Sequence, residues 1–105
     1  MRQISSADAF RELNIWRDSR VGCVFSVRSA AAVFSVRRAK LGVRESIVYI
    51  EVETGAGMLD LLDCKFSLTE PGDLPLELKE GFPPLTVVTL RVDFKNEDVC
   101  FFFPD

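Results

Sequence analysis

Histidine is absent from all 105 residues of the chain. The side chain most used for proton transfer near neutral pH, also the commonest metal ligand, is therefore missing. Ser-His-Asp and Cys-His nucleophile systems are excluded within one chain. Cysteine is scarce and scattered: Cys23, Cys64 and Cys100 form no Cys-x-x-Cys. Without paired cysteines or histidine no structural zinc site is expected. An odd number of thiols, each inside an apolar run, reads as small buried hydrophobes in a reducing compartment. Only Cys64 is a candidate reactive thiol, with Lys65 favouring the thiolate and Asp63 opposing it. Long apolar runs are missing too. None exceeds Val99 to Phe103, far short of the ~20 residues a bilayer-spanning helix needs. The opening Met1-Arg2-Gln3-Ile4-Ser5-Ser6 has no apolar stretch behind its arginine, so no signal peptide is expected and the expected location is cytoplasmic.

What remains has the balance of an ordinary globule, 48% apolar and 28% charged. The length fits a single domain over 1–105. Charge divides unevenly. Residues 1–44 hold nine basic against three acidic side chains, and residues 45–105 hold four against thirteen. Such asymmetry means either an anionic partner for the first half or mutual neutralisation of the halves.

The hydrophobic pattern predicts a helix over about 6–17, capped by Ser5 or Ser6, with Asp8 in its first turn. Ala9, Phe10, Leu13 and Trp16 form its apolar stripe. The period then becomes two. Val24-Phe25-Ser26-Val27-Arg28 repeats as Val33-Phe34-Ser35-Val36-Arg37. Folded back on each other, these set Phe25 opposite Val36, Ser26 opposite Ser35 and Val27 opposite Phe34. The phenylalanines then point inward and Arg28 and Arg37 outward, as in a half-buried antiparallel hairpin.

A turn at Gly42 leads to a third strand, Ser46 to Glu53, and a turn over Thr54-Gly55-Ala56-Gly57 to a fourth, Met58 to Leu68. A phase slip in the fourth predicts a bulge near Leu61-Leu62. A proline-rich connection, 69–85, precedes strands over Thr86 to Phe94 and Val99 to Phe103. The expected fold class is α+β, mainly β: an N-terminal helix, then a β-meander over about 21–103 forming a six-stranded antiparallel sheet, curved or closed into a small barrel.

Three surfaces stand out. Arg28, Arg37, Arg38, Lys40 and Arg44 cluster on or near the first hairpin as a candidate binding site, although a pI of about 5.0 argues against a general polyanion binder. Glu51 and Asp60 fall opposite each other if the second hairpin centres on Gly55-Ala56, a like-charge pair that needs a neutralising arginine or a divalent cation. Val24, Val33, Tyr49, Cys100 and Phe102 fall on the face away from the main core set, surplus apolar surface that a homo-oligomer or protein partner would cover. The leading expectation is a small cytosolic non-catalytic binding or assembly module acting through protein contacts, self-association included. The alternative is a small β-barrel nucleic-acid binder on the basic hairpin. Third comes a carboxylate-based or metal-dependent enzyme. No catalytic residue, cofactor or metal ligand is assigned, and no membrane partner is expected.

Overall fold

A computed structural model of the chain describes residues 2–18, 23–28, 33–69 and 89–104. Most of the proline-rich connection, and residue 29 to residue 32 between the twin segments, lie outside the described residues. Helix α1, Ser6–Asp18, forms where the stripe predicts it. Ser5 caps it: the Asp8 amide donates to Ser5 Oγ at 3.1 Å, satisfying one of the first-turn donors that have no partner inside the helix. Asp8 also pairs with Arg11 one turn on. Ala9 and Leu13, four residues apart, are fully buried, and burying a leucine side chain contributes about 1.5–3 kcal/mol. Phe10 and Trp16 pack against the core beside them.

Eight strands follow the order β1-β6-β7-β8-β2-β3-β4-β5, every neighbouring pair antiparallel. They are β1 (Arg2–Ile4), β2 (Cys23–Arg28), β3 (Val33–Arg44), β4 (Ile47–Val52), β5 (Gly55–Asp60), β6 (Lys65–Thr69), β7 (Thr89–Asp93) and β8 (Val99–Pro104). The first hairpin has the expected register, with Phe25 on Val36, Ser26 on Ser35 and Val27 on Phe34. Of β2 only the backbone pairing is described, so the inward or outward facing of Phe25, Phe34, Arg28 and Arg37 lies outside the described side chains.

The expectation of one six-stranded meander is corrected in four ways. First, the ladders fall into two sheets that share β3, and no barrel closes among the described residues, because β1 and β5 end the order unpaired with each other. The long strand passes between the sheets at a bulge: Cys23 pairs with Ala39 and Phe25 with Val36, leaving Arg37 and Arg38 against Val24 alone. Arg38 takes φ 55° there. The extra residue flips the parity, so Val36 before it and Ala39 and Leu41 after it all contribute to the core. Gly42 lies within β3, and the turn falls at Glu45-Ser46.

Second, β4 and β5 turn at Glu53-Thr54, four places off the expected register, with Val52 on Gly55. Third, the fourth predicted strand is two. Asp63, at φ 61°, turns the chain between β5 and β6, so the phase slip marks a crossing from one sheet to the other and not a bulge. Fourth, β8 lies between β7 and β2. Cys100 and Phe102, expected on a spare outer face, are fully buried, and Phe101 on the opposite face is nearly so. Strands covered on both sides show no alternation of exposure. No described helix is long and apolar enough to cross a membrane.

Candidate functional site

The open surface sits on the second sheet, built by the end of β3, β4 and β5. Alternation along β4 buries Val48 and Ile50 and turns Tyr49 and Glu51 to solvent. The register then lines up three outer rows: Lys40-Glu51-Ala56, Gly42-Tyr49-Met58 and Arg44-Ile47-Asp60. Gly42 offers no side chain, and a Cβ there would lie 3.5 Å from Tyr49 Cβ and 3.8 Å from Cδ2, so the tyrosine lies alongside bare backbone. Tyr49 is 42% exposed and Met58 67%. They form an apolar pair framed by Lys40 and Arg44 on one side and Glu51 and Asp60 on the others.

Of the basic candidates, Arg38, Lys40 and Arg44 are exposed on this sheet. Arg38 and Lys40 line an open groove of about 630 Å³ together with Val36, Glu51, Val52 and Glu53. The cations thus share their groove with carboxylates, and Lys40 sits directly opposite Glu51 on the ladder. The side chains of Arg28, Arg37, Val24 and Val33 lie outside the described ones. Of the apolar candidates, Tyr49 is exposed on β4. Phe102 is not available as an interface residue, since the chain's own core encloses it.

The expected carboxylate pair does not form. Glu51 opposes Ala56 on β5 while Asp60 opposes Ile47, because the hairpin turns two residues earlier than its glycines suggest. Asp60 instead holds the chain reversal after β5. Its Oδ1 accepts hydrogen bonds from Ser46 Oγ and from the Leu62 amide, both at 3.0 Å. Among the described residues no group of three or more potential ligands could hold a metal ion.

A second hollow, about 380 Å³, lies between β1, the start of α1 and residues 61–66, with Ile4, Phe10 and Phe66 forming apolar wall and Asp63, Cys64 and Lys65 the rim. Phe10 and Phe66 meet edge to face at 5.8 Å. The Cys64 thiol is pushed above its ordinary range by burial, then by the Asp60 and Asp63 carboxylates, against a smaller opposing effect of Lys95. It holds its proton at neutral pH, the reverse of what a nucleophile requires.

The feature that sequence reasoning missed is the first half of β5, Gly55 to Gly57, and the register that goes with it. Gly-Ala-Gly reads as a turn, yet here it is strand. Only the pairing shows that Met58 stands in the open beside Tyr49. No protein-family model, curated protein or solved structure matches the chain.

Proposed function

We propose that this chain is a small cytosolic, non-catalytic binding module that works through protein contacts at the open end of its second sheet. One observation carries the reading. The outermost strand, β5, is exposed along its length apart from half-buried Leu59, and among the described residues it pairs on one side only. An edge of that kind presents unpaired amides and carbonyls to which an extended segment can add as a further strand. Backbone bonds supply affinity there, and Met58 with Tyr49 supplies an apolar contact on the outer face. The nucleic-acid alternative is the weaker reading: Arg38 and Lys40 line a groove, but a polyanion there would also meet Glu51 and Glu53.

Selection of displayed random peptides on the protein tests the proposal. Enriched peptides should bind the wild type and bind Ala56→Pro about tenfold more weakly, for a lost edge hydrogen bond and added ring bulk. No enrichment, or equal binding to the variant, would remove the β5 edge from consideration.

A further inference from the structure

Two glycines of β5 have open space where a side chain would stand. Neither Gly55 nor Gly57 has a positive φ, and a Cβ built on either meets nothing within 4 Å among the described residues. Glycine inside a strand weakens it, and often marks a bulge, a tight bend, or a site that a ligand or another backbone approaches closely. Nor is this edge defended in the usual ways. From Gly55 to Leu59 it has no lysine, no proline and no charge.

We infer that the approaching backbone is β5 of a second copy, paired antiparallel about a two-fold axis at Gly57. The inference rests on reading the β5 edge as a contact surface and names what occupies it. In this register Gly57 faces the partner's Gly57, Ala56 faces the partner's Met58, and Gly55 faces the partner's Leu59. Each large side chain meets a small one, and a two-fold interface makes each match occur twice.

The backbone agrees with the side chains. The turn at Glu53-Thr54 is closed by Val52 and Gly55. Ladder bonds alternate from there, so Ala56 and Met58 aim their N–H and C=O groups at the open edge. These two residues are the ones the two-fold axis sets opposite each other. Charge agrees as well. The only charged residue of β5, Asp60, lies opposite the partner's Thr54. The two Asp60 carboxylates stand about six residues apart along the ladder, roughly 20 Å, beyond the ~10 Å screening length at ordinary salt.

Light scattering and sedimentation over a rising concentration series test this. The wild-type mass should climb from 11.8 kDa toward twice that value. Gly57→Lys and Gly57→Glu each set two like charges face to face, and each alone should stay monomeric. An equimolar mixture of the two should dimerise again, because lysine then meets glutamate. The same pair of substitutions at Gly55 should show no recovery on mixing, since Gly55 faces Leu59. At both positions an added Cβ meets nothing within 4 Å among the described residues, and thermal melts verify that each variant folds. A wild type that remains at 11.8 kDa throughout, single Gly57 variants that dimerise like it, or a mixture that stays monomeric would overturn the inference. Peptide ligands still selected on the β5 edge of such a monomer would show that the contact-surface reading survives while the second copy does not.

Discussion

Thr69 and Thr89 face each other across the β6–β7 ladder, both buried, and neither Oγ1 has a hydrogen-bond partner among the described residues. A buried hydroxyl without a partner keeps its desolvation penalty, about 1–3 kcal/mol. Valine has nearly the same shape and β-branching without the polar atom. The double variant Thr69→Val, Thr89→Val should therefore gain about 1 kcal/mol or more in urea unfolding; an unchanged or lower midpoint would mean that the hydroxyls are satisfied. At this scale the sequence was legible where one face is wet. Val48 and Ile50 inside and Tyr49 outside follow from alternation alone. Cys100 and Phe102 did not, because Phe101 between them is buried too and parity carries no information when both faces are covered. The role of Asp60 was also hidden, since it depends on Ser46, fourteen residues away, reaching back to it.

Among the elements, α1 was the most readable, for its signals are local: a serine cap, an acid in the first turn, an apolar stripe. Ser5→Ala removes the acceptor of the Asp8 amide and should lower stability by about 1 kcal/mol, measured by thermal or urea unfolding followed in the far ultraviolet. A variant as stable as the wild type would show the cap to be replaced by water. The first hairpin was readable because its two arms carry the same residues in sizes that match only when folded back in one register. The second was misread because glycine is the strongest turn signal in a sequence, and here the turn belongs to Glu53-Thr54 while Gly55 and Gly57 lie in the strand. The break between β5 and β6 was equally hidden: Asp63 adopts a left-handed backbone, which aspartate tolerates better than most residues but does not announce.

For the whole molecule, the mainly β architecture behind a single helix was legible and the topology was not. Local patterns show which segments are strands; they say nothing of β8 sliding between β7 and β2, or of β3 serving two sheets. Burial at that central strand has a measurable effect on stability. Cys100 is fully enclosed, and burial holds its thiol well above the ordinary value of 9.0. The folded chain then binds this proton more tightly than the unfolded chain, so stability is complete below about that value and falls as pH rises above it. Melting curves taken from neutral to strongly alkaline pH should show the decline, and Cys100→Ala should have a shallower one whatever its stability at neutral pH. Equal slopes would mean that the thiol does not contribute. The place of β8 in the order also bears on how the protein is made. β2 precedes β8 by about seventy residues in the sequence, yet one of its two neighbours is residues 99–104, so those residues have to be synthesised before the larger sheet can be completed. Until then β2 waits without one of its two partner strands, and the sheet depends for its completion on a pairing between segments far apart in sequence.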